Sequence, residues 1–220
     1  LFRILQGVSF QAKEGQVTVL LGRNGAGKTT TLRSIMGFQP VASGSIQFQG
    51  RAIQDWAPHQ IARAGIGYVP EDRGIFTHLT VEENMRVAMG KEDGETLDRQ
   101  AWVLDLFPDL KKAWRRKGGY LSGGQKQMLA LGRALLQPNQ LLLIDEPSKG
   151  LAPIMVERVI AALHQIKDQT TIILVEQNFQ MATLLGDVYY LLDDGRTVHG
   201  GEMAALIQDE ELKRKYLGIA

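Results

Sequence analysis

Gly22-Arg23-Asn24-Gly25-Ala26-Gly27-Lys28-Thr29 decides the fold of this chain. This stretch has the spacing G-x-x-x-x-G-K-[ST], follows the apolar run Val17–Leu21 and precedes a helical pattern from Thr30 to Met36. A strand, a glycine-rich loop and a helix in that order form the context in which such a loop binds phosphate. Glycines let backbone N–H groups turn inward around an anion, and the helix N-terminus adds the positive end of its dipole. The sequence therefore predicts a nucleoside triphosphate site.

The loop and the first helical turn provide the candidate phosphate ligands, which are Gly22, Asn24, Gly25, Ala26, Gly27, Lys28, Thr29 and Thr30. We expect Lys28 to reach the β- and γ-phosphates and to act in catalysis, and the Thr29 hydroxyl to hold Mg²⁺. A chance glycine-rich turn is the alternative, and the flanking strand and helix make it the weaker interpretation.

Composition narrows the class of protein. The 220 residues are 44% hydrophobic and 22% charged with a net charge of +1, and they contain no cysteine. This globular profile provides no electrostatic argument for a nucleic-acid partner, and disulfides are excluded. The longest apolar runs are strand-sized, so we expect this chain to reach a membrane only through a partner.

The order of patterns along the chain predicts an α/β fold with a parallel sheet and helices on both faces. Strands are predicted at Val17–Leu21, within 43–50, and at Ile66–Val69, Leu141–Ile144, Thr171–Val175, Val188–Leu192 and Arg196–Val198. Residues 81–136 change to helical spacing with mixed charge. We therefore predict a single domain, 1–220, in which 81–136 form a helical subdomain inserted between 1–80 and 137–220.

Two acidic residues close the buried run Leu141–Ile144. Ligands bind at the carboxyl ends of strands in parallel sheets, so Asp145 and Glu146 are expected beside the phosphate loop. Asp145 would hold Mg²⁺ through water, and Glu146 would polarise the attacking water as a catalytic residue. The alternative is a pair of solvated carboxylates at a strand end, which the phosphate loop in the same chain disfavours.

A second candidate anion site is the stretch Leu121-Ser122-Gly123-Gly124-Gln125. Ser122 can cap the helix that begins there, and the two glycines leave backbone N–H groups open to an anion. A plain capped helix after a turn is the alternative interpretation.

These three motifs, taken in order, resemble those of the ABC family of ATPases, and the resemblance covers essentially the whole chain. It implies a RecA-like P-loop NTPase core with a small antiparallel β edge and an inserted helical subdomain. It also implies ATP hydrolysis, with ATP and Mg²⁺ as cofactors. In this family two cassettes pair head to tail, so Ser122, Gly123, Gly124 and Gln125 would bind the ATP held by the phosphate loop of the second cassette.

Finer features are similar to the LivF-type subunit of branched-chain amino-acid importers. They are Tyr68–Glu71, Leu79–Asn84, Glu146–Pro153, Leu174–Asn178 and Lys215–Gly218. This resemblance implies a cytoplasmic ATPase, peripheral on the inner face of the membrane, that powers a separate permease by ATP-driven dimer closure. The implied partners are permease subunits, a second cassette in a homodimer or heterodimer and, indirectly, a solute-binding protein. Closure of the cassettes would be coupled to the permease through the groove beside Glu71 and the start of the helical subdomain.

The sequence departs from the usual family pattern at several positions. Glu71 stands where Gln is usual and could still be a Mg²⁺ ligand, since hard cations accept carboxylate oxygens. Gln177 replaces the usual His and could act in catalysis by hydrogen bonding to the γ-phosphate, although it cannot carry the charge of a proton. Ala152 replaces an Asp, and the aromatic residue that stacks on adenine is expected just before Leu1, with Phe2 nearby.

These departures leave open whether turnover is slow. Two further functions are therefore compatible with the sequence, which are a non-transport ABC ATPase and a low-turnover, nucleotide-binding regulatory subunit. The sequence does not identify the transported solute, because the contacts with the solute belong to the permease and its binding protein.

Overall fold

The computed structural model describes residues 4–218, so Phe2 lies outside the described part. Eight strands are present in that part: β1 (Val17–Leu21), β2 (Gln47–Phe48), β3 (Arg51–Ala52), β4 (Ile66–Val69), β5 (Leu141–Asp145), β6 (Thr171–Val175), β7 (Val188–Asp193) and β8 (Arg196–Glu202). Six of them form one sheet in the order β4-β5-β6-β1-β7-β8, and β2 and β3 form a separate antiparallel pair. Neighbours in the large sheet are parallel except β7 and β8.

Ten α-helices accompany these strands among residues 4–218: α1 (Lys28–Ile35), α2 (Pro58–Arg63), α3 (Val81–Met89), α4 (Gly94–Leu106), α5 (Pro108–Lys112), α6 (Gly123–Leu135), α7 (Pro153–Ile166), α8 (Phe179–Leu185), α9 (Met203–Gln208) and α10 (Glu210–Leu212). Side-chain caps mark several of the starts. Thr80, Asp93, Ser122 and Asn178 each accept a hydrogen bond from a backbone N–H in the first turn, which satisfies a donor that the helix itself cannot.

Both faces of the sheet are covered, because successive side chains of a strand point to opposite sides. Val17, Val19 and Leu21 pack with α3 to α9 in one apolar cluster. Leu20 points the other way, into a second cluster with residues of α1 and α2. Each fully buried aliphatic side chain contributes about 1.5–3 kcal/mol relative to exposure, so the two clusters hold the helices on the sheet.

The predicted α/β class with a mostly parallel sheet is confirmed. The hairpin between β7 and β8 turns at Asp194 and Gly195, which have φ angles of 43° and 70°, as the Asp-Gly pair predicts. The strand predicted within 43–50 is only two residues long, and α2, α5 and β3 were not predicted. These short elements lack the length at which hydrophobic periodicity becomes informative.

Four α-helices occupy the stretch that the sequence assigned to an inserted subdomain, and none of its residues belongs to either sheet. Its buried side chains, including Met85 of α3 and Leu129 of α6, share an apolar cluster with β1 and β5. The division into a core and an inserted subdomain remains a prediction.

Candidate nucleotide-binding site

The sheet order brings the phosphate loop, Asp145, Glu146 and Gln177 to one edge. The phosphate loop follows β1, Asp145 ends β5, and Gln177 comes two residues after β6. Because β6 lies between β5 and β1, the residues that follow it lie between the phosphate loop and Glu146. This is the edge at which ligands bind in parallel sheets.

Two glycines of the phosphate loop are required by its geometry. Gly22 has φ 153°, and a Cβ atom there would lie 2.2 Å from the carbonyl oxygen of Leu192. Gly27 has φ 97°, and its Cβ would lie 2.7 Å from Cδ2 of Leu5. A side chain at Gly22 would collide with the backbone of Leu192, and at Gly27 the left-handed φ angle would strain any other residue.

Lys28 is the first residue of α1, and its buried side chain reaches back into the phosphate loop. Its Nζ donates to the carbonyl oxygens of Gly22 (2.9 Å) and Arg23 (3.1 Å), and it lies 3.7 Å from Oε1 of Glu146. Burial lowers the pKa of Lys28, and the carboxylates of Glu146 and Asp145 oppose that shift. The structure thus places the one buried lysine of the described residues between the phosphate loop and the predicted catalytic carboxylate.

Thr29 and Asp145 meet as the sequence predicts. The Thr29 hydroxyl donates to Oδ1 of Asp145 at 3.1 Å, and the Tyr68 hydroxyl lies 3.4 Å from Oδ2. Burial raises the pKa of Asp145 to about 6, and the hydrogen bond from Thr29 opposes this shift.

These two residues pass a geometric test for Mg²⁺. Adjacent oxygens in an octahedral Mg²⁺ sphere with bonds of about 2.1 Å lie about 3.0 Å apart. The Thr29 and Asp145 oxygens have nearly this separation. As direct ligands they would fit two adjacent places in such a sphere. The described residues contain no group of three or more His, Cys, Asp or Glu side chains that could hold a metal ion, so phosphate oxygens and water would have to supply most of the ligands.

Glu146 and Gln177 are in direct contact. Nε2 of Gln177 donates to Oε1 of Glu146 at 2.6 Å, and the same nitrogen hydrogen bonds to the side-chain oxygen of Asn24. Glu146 is 8% exposed and has a left-handed backbone with φ 45°, a conformation that costs free energy in a residue other than glycine. Gln177 therefore bridges the phosphate loop and the predicted general base.

Glu71 is nearby but engaged with another residue. Its carboxylate forms an ion pair with Lys149, which also lies 3.4 Å from Oε2 of Glu146. This pairing raises the pKa of Lys149. The role of Glu71 as a Mg²⁺ ligand remains a prediction.

The stretch from Ser122 to Gln125 forms the predicted capped helix start. The Ser122 hydroxyl accepts from the N–H of Gln125 at 3.2 Å, and the Gln125 side chain accepts from the N–H of Ser122 at 3.0 Å. Over residues 4–218, no hydrogen bond joins this stretch to the phosphate loop. Gly123 instead lies beside the loop after β5, since a Cβ atom there would be 3.8 Å from Cδ2 of Leu151.

Sequence reasoning missed three residues of this edge. Tyr68 lies one residue before the end of β4 and contacts Asp145, and Lys149 contacts both Glu71 and Glu146. Glu176 is a carboxylate with 1% exposure that directly follows β6. A signal for Glu176 was present, because it follows a buried strand much as Glu146 does.

Comparison with known proteins identifies the family. Residues 5–149 match the family model described as ABC transporter. The chain belongs to this family. Its cassette is therefore an ATPase that binds ATP, and the confirmed fold is that of the ABC cassettes.

Several relatives extend this likeness over nearly the full length. The cassette is 42% identical to the high-affinity branched-chain amino acid transport ATP-binding protein BraG of Pseudomonas aeruginosa, over 97% of this chain and 93% of BraG. It is 38% identical to a probable branched-chain amino acid transport ATP-binding protein, LivF of Archaeoglobus fulgidus, over 98% and 93%. It is also 31% identical to the lipopolysaccharide export system ATP-binding protein LptB of Escherichia coli, over 98% and 91%.

Solved structures agree on the fold. A nucleotide-free ATP-binding cassette from an ABC transporter superposes with a TM-score of 0.84 at 24% identity, covering 100% of this chain and 94% of that one. The dimeric MJ0796 cassette, in a post-hydrolysis state with ADP and Pi, superposes with a TM-score of 0.81 at 24% identity, covering 91% and 90%. Within residues 4–218, no helix combines the length and the apolar character needed to cross a membrane.

Proposed function

We propose that this cassette is the ATP-hydrolysing subunit of an ABC importer for branched-chain or related amino acids, and that it powers a separate permease. The observation that carries the proposal is the 42% identity to BraG, which extends over 97% of the chain. The contacts among Lys28, Glu146 and Gln177 support it, since they form one connected set at the expected edge of the sheet.

The proposed roles of these residues in ATP hydrolysis follow from their positions. Phosphoryl transfer to water depends on positioning and on stabilising charge. Lys28 and the backbone N–H groups of the loop from Gly22 to Thr29 would hold the β- and γ-phosphates of ATP. Glu146 would accept a hydrogen bond from the attacking water and polarise it. The amide of Gln177, which already contacts Glu146, would hydrogen bond to the γ-phosphate.

The metal role is proposed for Thr29 and Asp145, with Glu71 as a further candidate. Bound Mg²⁺ would neutralise the charge that develops between the β- and γ-phosphates. The Thr29 hydroxyl and the Asp145 carboxylate would hold it at the phosphate loop. Asp145 lies at the end of a fully buried strand, and its carboxylate accepts a hydrogen bond from Thr29.

The second anion site would act across an interface. Ser122, Gly123, Gly124 and Gln125 would bind the γ-phosphate held by a second cassette, so ATP would join the two. The dimeric MJ0796 cassette, which has the same fold, supports this arrangement. A homodimer and a heterodimer with a sister cassette would both satisfy it.

The proposed partners place the complex at the inner face of the cell membrane. Permease subunits would contact the groove beside Glu71 and the start of α3, and a solute-binding protein would act indirectly. At this position Glu71 is 39% exposed, so it is accessible to a partner.

Export is the alternative to import, and one observation supports it. LptB, an export-system protein, is 31% identical over 98% of this chain. The motifs are also compatible with a non-transport ABC ATPase and with a low-turnover regulatory subunit. The contact of Gln177 with Glu146 and the Glu71–Lys149 pair are the features that bear on turnover.

The decisive experiment is affinity purification of the tagged, full-length protein from detergent-solubilised membranes of its own cells, followed by mass spectrometry. Recovery of a multi-span permease and a solute-binding protein would support the importer, and that binding protein could be tested directly with leucine, isoleucine and valine. Recovery of an export assembly, ribosomes or DNA-repair proteins would contradict it. ATP binding without turnover in the purified complex would indicate a regulatory subunit.

A further inference from the structure

Glu176 is a buried carboxylate to which the proposed mechanism assigns no role. It directly follows β6, and its side chain is 1% exposed. Charged side chains are rarely buried so fully unless they are paired or hydrogen bonded. The contacts of Glu176 therefore indicate what it stabilises.

Three backbone N–H groups donate to this carboxylate. Ser148 N donates to Oε1 at 2.9 Å, and the N–H groups of Gln177 and Asn178 each donate to Oε2 at 2.8 Å. The first donor belongs to the loop after β5, and the other two belong to the loop after β6. One side chain thus ties together two loops of the candidate site.

The hydrogen bond from Ser148 to Glu176 lies two residues from the strained backbone of Glu146. Glu146 has φ 45°, and its N–H donates to the carbonyl oxygen of Val175 at 2.9 Å. Glu146 is therefore held on one side by the backbone just before Glu176 and on the other, through Ser148, by the Glu176 carboxylate. Such strained residues persist only where the surrounding contacts hold them in place.

The second loop carries the residue that contacts Glu146. The Gln177 side chain donates to Oε1 of Glu146 at 2.6 Å, and the Gln177 backbone is fixed by Oε2 of Glu176. Both members of the Glu146–Gln177 contact therefore depend on the same carboxylate for their backbone positions.

We propose that Glu176 is a positioning residue for ATP hydrolysis, which holds the loops of Glu146 and Gln177 at a fixed separation. This inference rests on the roles proposed above for those two residues. Burial raises the pKa of Glu176, and the N–H donors oppose that shift. The N–H groups thus favour the ionised form, the only form in which both oxygens are solely acceptors.

Glu176→Gln is the sharpest test, because it removes one oxygen acceptor and preserves shape. The new amide oxygen can accept the hydrogen bonds from the N–H groups of Gln177 and Asn178 only if the amide NH₂ group faces the N–H of Ser148. That orientation keeps two hydrogen bonds and loses the one that joins the loops. The variant therefore removes the hydrogen bond between the two loops and keeps the local hydrogen bonds at Gln177 and Asn178.

We expect kcat for ATP hydrolysis to fall about 10- to 100-fold, since small misplacements of reacting groups have effects of this size. KM and ATP binding should stay within about twofold of wild type. Hydrogen–deuterium exchange should show lost protection at the Ser148 amide and unchanged protection within α8. Tyr189→Phe is the control, because it removes a different, part-buried hydrogen bond, the 2.7 Å contact with Nδ1 of His199.

Three outcomes would overturn the inference. One is an unchanged kcat although Ser148 has lost protection. Another is retained protection of Ser148 in the variant. The third is an equal fall in kcat for Tyr189→Phe at an equal loss of Tm, which would indicate a general effect of stability. Failure of the proposed function would give a different result, which is wild-type protein that binds ATP without turnover. In that case, protection of the Ser148 amide would still show whether Glu176 holds the two loops together.

Discussion

At the scale of single residues, the backbone of Glu146 and the contacts of its side chain define the candidate catalytic centre. Lys28, Lys149 and Gln177 all lie within hydrogen-bond or ion-pair distance of its carboxylate. Two cations and an amide donor thus complement the negative charge of a carboxylate, the group that can accept a proton from water. The role of Glu146 can be tested by a substitution that keeps the shape of its side chain and removes the charge.

Glu146→Gln should lower kcat for ATP hydrolysis by about 10²–10⁴-fold, the usual range for losing a general acid or base. ATP affinity should be retained, because the phosphate loop is unchanged. Phosphate release and binding of a fluorescent ATP analogue measure the two quantities. Turnover equal to that of wild type would refute the role assigned to Glu146.

Asp145→Asn should weaken Mg²⁺-dependent nucleotide binding. The substitution preserves shape but removes the carboxylate charge that a hard cation prefers. The Mg²⁺ concentration at half-maximal binding of the ATP analogue should rise about 10- to 100-fold, the range for disturbing the groups that support a bound metal. Tyr189→Phe is the control, and an unaltered Mg²⁺ dependence in Asp145→Asn would count against this metal site.

At the scale of elements, the start of α6 packs closely against α7. A Cβ atom added at Gly124 would lie 2.2 Å from Cε and 2.8 Å from Cγ of Met155. The absence of a side chain at Gly124 therefore has a packing reason inside this chain, separate from any role in binding an anion. The two reasons can be distinguished by measuring stability and activity separately.

Gly124→Ala should lower the free energy of unfolding by about 1–3 kcal/mol, the usual cost of overpacking. In a Met155→Ala background the same change should be neutral or stabilising, because space is available and alanine favours a helix more than glycine does. A double-mutant cycle in urea measures this coupling. An equal cost in both backgrounds would exclude the steric explanation.

At the scale of the whole molecule, the two candidate anion sites are not joined by hydrogen bonds within residues 4–218. In the proposed arrangement, a second copy or a sister cassette brings its Ser122–Gln125 stretch to the phosphate loop. Glu146→Gln protein, which should bind ATP without consuming it, is suited to trapping such a pair.

Sedimentation velocity of Glu146→Gln protein should show a shift from monomer to dimer when Mg²⁺ and ATP are added. Adding Ser122→Arg should prevent the shift, because a long side chain would block the anion site at the start of α6. ATP binding to the monomer should remain. A dimer that forms equally well without ATP, or with Ser122→Arg, would contradict pairing through bound ATP. A sister cassette mixed with this chain would test the heterodimer.

Much of the fold and the candidate site could be predicted locally. The phosphate loop, the capped start of α6 and the acidic end of β5 depend on residues adjacent in the chain. Glycine conformation, helix capping and strand length act over a few residues, so the sequence determined these features by itself. The long strands and helices were predictable for the same reason, whereas α2, α5 and β3 were too short.

Only the tertiary structure decided which loops meet. Strand order depends on packing between residues far apart in sequence, and no local pattern shows that β6 lies between β5 and β1. That order puts Gln177 between Asn24 and Glu146, and it lets Glu176 reach Ser148. The sequence by itself determined the groups available for phosphate chemistry. The order of the strands determined their contacts, because burying both faces of the sheet is a property of the whole chain.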